Sequence, residues 1–385
     1  MSASPWRVPL ADVVVDDELL QAAREAIASG WWSTGPRVAL FEAALADALQ
    51  VPHALAVANG TAALHLALLA AGCGPGDEVI LPSLTFVAAA NTVRHVGATP
   101  VFCDVSGEDD LNLDPEDVLN AIGPRTKALI VLHYGGHPCD MDRIAEIARA
   151  HDLTVIEDAA HAPGATLHGR ACGTLGDIGC FSFFSNKNLP IGEGGAVVTR
   201  NPVLAERLSL LRSHGMTTTS WDRDQGHAND YDVVLTGFNY RLDEVRAALG
   251  LVQLSRLRAA NEQRSQLVRR YWACLAGVED LVLPFAAGAS GTSAHHLAVV
   301  VLPTGIARPR IREALREAGV QTSVHYPPIH RFTAFRDVSS SRPLPRTDVL
   351  AGRLLSLPLF PQMTAEQQDL VVSQLRHALA AELVT

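Results

Sequence analysis

The chain carries 31 basic residues, and only two of them, Lys127 and Lys187, are lysines. Arginine replaces lysine as a charge but not as an amine nucleophile, because its guanidinium stays protonated. Lys187 lies in FSFFSNKNLPIGEGGAVVT (181–199), where a strand-like run enters a polar turn and a glycine cluster precedes the next strand. Two readings are open for it: a solvated turn lysine, or an amine able to form a Schiff base. Lys127, at the mouth of a strand in PRTKALIVLHY, reads as a surface charge. A second signal is LTVIEDAAHAPGA (153–165), a buried strand ending in two acids, small residues and His161. Asp158 either caps the following turn or keeps a heterocyclic ring nitrogen protonated. Strand alternation sends Glu157 and Asp158 to opposite sides, so only one of them reaches a given site. The third signal is VANGTAALHLALLAAGCGPGDEV (57–79), where Gly60 and Thr61 precede an amphipathic helix whose free N–H groups suit a phosphate. The alternative there is a plain N-cap by Asn59 or Thr61. Gly72, Gly74 and Gly76 have neither Walker nor dinucleotide-fingerprint spacing.

These three segments sit in a pattern of alternating elements from about residue 17 to 255. Helix-like stretches at 39–49, 62–69, 141–150 and 204–211 alternate with short apolar runs at 78–81, 99–102, 128–132, 154–156, 180–183 and 196–198. Such alternation predicts a mostly parallel sheet with helices on both faces, and ligands in such sheets bind at the carboxyl ends of the strands. A long helix over 242–275 follows, with Leu249, Leu251, Val252, Leu254 and Leu257 as its apolar stripe. Beyond 280 the chain reads as a smaller α+β unit: strand AHHLAVVVL, helix IREALREAGV, strand QTSVHY, a Pro-rich loop and a helix from Ala365. The expected division is a large domain over 1–255 and a bridging helix with a small C-terminal domain over 256–385.

At 385 residues the chain suits a large α/β domain with a smaller one appended. With 48% hydrophobic and 19% charged residues and a mean hydropathy of +0.14, it can bury enough apolar surface to fold compactly. A net charge of −10 argues against a dedicated nucleic-acid binder. No apolar run approaches the roughly 20 residues that cross a bilayer, and the first residues lack a basic segment followed by an apolar one, so the expected compartment is the cytoplasm. The six cysteines form no Cys-x-x-Cys pair and are expected as reduced, packed thiols. No metal-ligand spacing appears, and no metal is expected.

A phosphate-holding helix start, a ring-nitrogen carboxylate and a Schiff-base lysine are together the three handles that hold pyridoxal 5′-phosphate. In their order and wording the segments resemble the DegT/StrS sugar aminotransferases, of aspartate-aminotransferase-like fold type I. The likeness covers nearly the whole chain through GWWSTGPRVALFE, NGTAALHLAL, GDEVILPSLTFVAAANTV, GATPVFCDV, IEDAAHAPGA, GCFSFFSNKNLPIGEGGAVVT, GFNYRLDEVRAALGLVQL and HYPPIH. The resemblance implies Lys187 as the aldimine lysine and proton carrier, Asp158 as the pyridinium partner and His161 beside the cofactor ring. It implies Gly60, Thr61 and Ser182 at the cofactor phosphate, Ala62 among the cofactor-binding residues, and Phe86 stacked on the ring, although a lone Phe is more often a core residue. Asn239 matches a residue that reaches the phosphate of the neighbouring subunit, which implies a homodimer with shared sites. Trp31, Thr34, His325, Tyr326 and His330 are implied on the acceptor side; each histidine is otherwise a satisfied or solvated residue. Lysine at position 187, where a dehydrating branch has histidine, favours transamination. This chain departs from the family pattern at His133-Tyr134-Gly135-Gly136, where His-x-aromatic-Gly is more usual, and at Asn186, where Thr is commoner; both departures bear on substrate-side detail more than on the reaction type. The implied activity moves an amino group from an amino acid, L-glutamate by analogy, to a keto group of a nucleotide-linked sugar. Alternatives are amination of a keto-cyclitol or other antibiotic precursor, and a regulatory protein that holds the cofactor without turnover.

Overall fold

The computed structural model describes residues 5–218, 220–226, 230–286, 291–338 and 342–383. Short apolar runs closed by Gly, Pro or Asp turns form the strands. These are β1 (His53–Val57), β2 (Glu78–Pro82), β3 (Thr99–Cys103), β4 (Thr126–Leu132), β5 (Thr154–Asp158), β6 (Thr166–Leu167), β7 (Arg170–Ala171), β8 (Ile178–Ser182), β9 (Gly195–Thr199), β10 (Gly291–Thr292), β11 (Ala298–Val301) and β12 (Leu354–Leu357). The helices are α1 (Asp17–Ala28), α2 (Pro36–Leu49), α3 (Gly60–Ala70), α4 (Ala88–His95), α5 (Pro115–Ala121), α6 (Met141–Ala150), α7 (Pro202–Arg212), α8 (Ser220–Asp224), α9 (Glu244–Leu275), α10 (Arg308–Glu317), α11 (Pro345–Leu350) and α12 (Ala365–Leu383).

Seven strands form one sheet in the order β1-β9-β8-β5-β4-β2-β3. The pairs from β8 to β3 are parallel, whereas β9 lies antiparallel between β8 and β1. The register aligns Leu132, Asp158 and Cys180 across β4, β5 and β8, so the carboxyl ends of three neighbouring strands meet. Lys187 follows β8 in the connection to β9, directly above that edge. β11 and β12 pair antiparallel in the C-terminal unit and pack with α10, α12 and the second half of α9, through Val268, Tyr271 and Leu275.

Four expectations are corrected by packing. α3 is not amphipathic: from Ala62 to Leu68 every residue is buried, because the helix lies on the sheet and is covered by α4 and α7. In α9 the expected leucine stripe is only half-buried; the buried positions are Glu244, Ala247, Ala248 and Gly250, then Arg264, Val268, Tyr271 and Leu275. Small residues lead there because α9 lies tightly on α2, and a Cβ at Gly250 would come 2.7 Å from the Phe41 ring. The long helix begins at Glu244 and not at 242, since Asp243 caps it by accepting from Arg246 N–H. QTSVHY is not a strand: residues 321–326 form only an isolated bridge, Ser323 with Ser356, and otherwise run as a loop into the site. The strand that pairs with β11 is β12, which lies between QTSVHY and the helix from Ala365, where only a Pro-rich loop is expected.

Candidate active site

Asp158 is the last residue of β5 and lines the cavity at the carboxyl edge, while the Glu157 carboxylate lies outside it, on the N–H groups of Gly173, Leu175 and Gly176. Asp158 is buried, and Ala160 N–H donates to its Oδ1 at 3.1 Å. Burial raises its pKa, against the pull of that N–H, of the Lys187 ammonium and of His133. Lys187 sits in a turn closed by its own N–H on Phe184 O. Burial lowers its amine pKa to about 8, opposed by the Asp158 carboxylate. An amine and a carboxylate, each shifted toward neutrality, thus share one cavity of about 450 Å³ with His161, His325 and Tyr326.

The start of α3 closes the other end. Asn59 caps the helix: its Oδ1 accepts from Ala62 N–H, and its carbonyl accepts from Ala63 N–H. The N–H groups of Gly60 and Thr61 have no acceptor among the described residues, and both residues line the cavity beside Ser182. A Cβ at Gly60 would fall 2.8 Å from Ser182 Cβ, so glycine is what lets these donors approach Ser182. The Asn59 cap therefore leaves the N–H groups of Gly60 and Thr61 open, so the two readings of this segment do not compete.

On the side facing the C-terminal unit, His161 Nε2 lies 2.8 Å from Tyr326 Oη, and Gly135 N–H donates to His161 Nδ1 at 3.3 Å. Burial, the Lys187 ammonium and His325 hold the His161 pKa well below the usual value, so the ring is neutral. His325 Nδ1 contacts Ser356 Oγ at 2.8 Å, and burial with Lys187 lowers its pKa to about 4. Phe86 is 56% exposed at the rim, its ring 6.0 Å from that of Tyr326, and is no core residue.

Of the residues singled out in the sequence, Lys187, Asp158, His161, Gly60, Thr61, Ser182, Phe86, His325 and Tyr326 line this one cavity. Five do not. Ala62 has its N–H engaged by Asn59 and its side chain in the core. Trp31 lines a separate recess with Trp221, Arg37 and Glu244 and donates from Nε1 to Thr34 O, while Thr34 Oγ1 donates to Leu242 O. His330 joins Ser83 Oγ at 2.7 Å to Asp348 Oδ1 at 3.1 Å, so it ties the two units together outside the cavity. Asn239 is exposed beside Ser213, away from the cavity of its own chain. Sequence reasoning missed Ala160 and Glu193 in the lining. Asn186, singled out only as a departure from the family pattern, also lines the cavity, and its buried Oδ1 has no hydrogen-bond partner among the described residues. It also left Glu157 without a role. The Glu157 carboxylate accepts from the N–H groups of Gly173, Leu175 and Gly176 at 2.6 Å each, and from His133 Nε2 at 2.8 Å.

A family model described as DegT/DnrJ/EryC1/StrS aminotransferase matches residues 14–376. The chain belongs to this family. Its relatives include the spore coat polysaccharide biosynthesis protein SpsC of Bacillus subtilis (strain 168), 39% identical over 97% of this chain and 96% of the relative. DesV of S. venezuelae, solved in complex with a ketimine intermediate, superposes with a TM-score of 0.88 at 38% identity, over 96% of this chain and 98% of that one. Spr1654 of Streptococcus pneumoniae is known in a PLP form (TM-score 0.89, 27% identity, 97% and 99% covered) and a PMP form (0.90, 28%, 97% and 100%). The protein is a pyridoxal-phosphate-dependent aminotransferase of fold type I. Its own residues fit that cofactor: a desolvated amine for the aldehyde, a buried carboxylate for the ring N–H, and two unengaged N–H groups with two hydroxyls for the phosphate. Among the described residues no helix is long and apolar enough to cross a membrane, and no cluster of His, Cys, Asp or Glu could hold a metal.

Proposed function

We propose that this aminotransferase moves an amino group from an amino acid, L-glutamate, to the keto group of a nucleotide-linked sugar. The observation that carries the reading is the Lys187 amine, tuned to about 8 and sharing a cavity with Asp158 and the open start of α3. When bound, pyridoxal phosphate supplies an electron sink in its protonated ring. Asp158 holds the ring proton, because a buried carboxylate is stabilised by the cation it faces. The N–H groups of Gly60 and Thr61, with the hydroxyls of Thr61 and Ser182, hold the phosphate. Lys187 anchors the cofactor through its amine and, once displaced by the donor amino acid, carries the proton from and to the reacting carbon. An amine titrating near 8 does both jobs at neutral pH. Phe86 and Tyr326 shield the reacting atoms from water at the rim.

The sugar acceptor is supported by the spore coat polysaccharide role of SpsC, and the proposed setting is cytoplasmic assembly of a glycan or an antibiotic sugar. We further propose a homodimer in which Asn239 of one protomer reaches the phosphate site of the other. Its exposure away from its own cavity supports this, as do exposed Tyr231, Val233 and Val234 on the same segment.

The test is a pair of half-reactions. Addition of L-glutamate to the cofactor-loaded protein is expected to shift its visible absorbance and release 2-oxoglutarate. The aminated protein is then offered keto-sugar nucleotides and free keto-cyclitols. No spectral change with glutamate or any other amino acid would refute the reading, and turnover confined to keto-cyclitols would move the acceptor class.

A further inference from the structure

In the proposed reaction Lys187 presents one amine first to the cofactor and then to the reacting carbon, so the turn that carries it has to be held firmly. Backbone bonding supplies little of that hold. Among the described residues, the only backbone–backbone hydrogen bond made by 184–190 is Lys187 N–H on Phe184 O. Ser185 Oγ adds a bond to Gly192 O at 3.3 Å. The side chain of the next residue, Asn188, makes three more. Asn188 is absent from the cavity lining and lies buried against α9 and the segment that leads into β11.

Two carbonyls fix the direction of these bonds. Asn188 Nδ2 lies 2.8 Å from Ala294 O and Asn261 Nδ2 lies 2.8 Å from Pro163 O, and a carbonyl only accepts, so both amides face their carbonyl with nitrogen. The second N–H of Asn188 then donates to Asn261 Oδ1 at 2.8 Å. Asn188 Oδ1 is left as an acceptor 3.0 Å from His296 Nδ1, so His296 carries a proton on Nδ1 and donates it. Burial, with Lys187, His161, Arg264 and His325 nearby, holds the His296 pKa well below the usual value, so the ring stays neutral. One directed chain therefore runs from His296 through Asn188 to Asn261 on α9 and on to Pro163 in the loop after β5. Asn261 has little room to move, since a Cβ at Gly164 would fall 2.6 Å from its Nδ2. One turn further along α9, buried Arg264 donates from Nη1 to Leu359 O at 3.0 Å and ties the helix to the C-terminal unit.

We infer that Asn188 is a positioning residue that aims the Lys187 amine, and that Asn261 acts through it by fixing the lysine turn to α9. Loss of the Asn188 amide unties that turn from α9 and from the segment before β11 at once. The inference rests on the reading of Lys187 as the proton carrier of aminotransfer. A parent protein that does not load covalently at Lys187 fails that reading, whereas unmoved variants of a loading parent fail this inference.

The experiment uses the full-length protein and its Asn188→Ala, Asn261→Ala, Asn188→Ala/Asn261→Ala, Lys187→Ala and Lys187→Ala/Asn188→Ala variants. Cofactor-free protein is loaded with pyridoxal phosphate at a pH well above the Lys187 pKa of about 8, and the loaded protein is reacted with L-glutamate in a single turnover. Asn188→Ala is expected to slow covalent loading and the limiting glutamate rate by about tenfold or more, with the half-saturating glutamate concentration within about twofold of the parent. Asn261→Ala slows both by about threefold or more and adds nothing in the Asn188→Ala background. Amine rescue separates aiming from support of the cavity. Ethylamine added to Lys187→Ala replaces the proton carrier without being held by the turn, so Asn188→Ala is expected to change the rescued rate by less than about twofold. A rescued rate that falls as far as the parental one would mean that Asn188 shapes the cavity and does not aim the lysine, which overturns the inference. Parental loading and glutamate rates in Asn188→Ala overturn it as well. Should Asn188→Ala not fold, Asn261→Ala carries the test, and parental rates in that variant have the same force.

Discussion

In the proposed reaction a single amine, that of Lys187, has to be both nucleophile and proton carrier, and its surroundings decide whether it can. Burial favours the neutral amine more than Asp158 favours the ammonium, which leaves a pKa of about 8. Covalent loading of cofactor-free protein needs the neutral form, so its rate is expected to rise with pH and level off above about 8. Stopped-flow absorbance checks this, and a midpoint near the ordinary lysine value would contradict the burial argument. Asp158 carries the opposite burden, a carboxylate whose burial is offset by one N–H and the charges opposite it. Asp158→Asn is expected to load cofactor yet slow the glutamate half-reaction by about a hundredfold or more, because a neutral amide no longer holds the ring proton. The lysine was conspicuous in the sequence as one of only two. Whether it was buried was not, since the turn around it reads as polar.

β5 shows how one element serves two faces. Asp158 opens into the cavity, and Glu157, one residue earlier, receives three backbone N–H groups and His133 behind the sheet. Cys139 N–H donates to His133 Nδ1, so Nε2 carries the proton given to Glu157. Glu157→Ala would strand these donors in a buried site, and is expected to lower unfolding free energy in urea by about 3 kcal/mol or more. A loss under about 1 kcal/mol would mean that water replaces the carboxylate. At the start of α3 the close approach of Gly60 to Ser182 predicts that Gly60→Ala weakens cofactor binding by about tenfold with little effect on the half-reaction chemistry; an absorbance titration reads it. Alternation along a strand and capping at a helix start are local rules, and both were legible in 153–165 and 57–62. The expected strand at 321–326 misled for the opposite reason. It meets the outer edge of β12 only through the Ser323–Ser356 bridge, and beyond that point it leaves the sheet to deliver His325 and Tyr326 to the cavity.

Across the whole molecule, the site is assembled from carboxyl ends of the sheet, the start of α3 and a loop of the C-terminal unit, with His330 bridging Ser83 and Asp348 at the joint. A partner protomer is the remaining proposed contributor. Mixing Lys187→Ala and Asn239→Ala proteins after subunit exchange is expected to regenerate one intact site per mixed dimer, about a quarter of parental turnover. Activity no higher than that of Asn239→Ala alone would refute the shared site. The order of chemistry-bearing segments, the mostly parallel sheet and the choice of Lys187 and Asp158 as the candidate amine and carboxylate came from the sequence, because each depends on neighbours within a few residues. Tertiary structure alone decided that Trp31, Thr34 and His330 lie elsewhere, that Ala62 turns inward, and that Tyr326 meets His161 from 165 residues away. Those outcomes depend on which distant surfaces pack together and which donors find acceptors there, and no local pattern encodes that geometry.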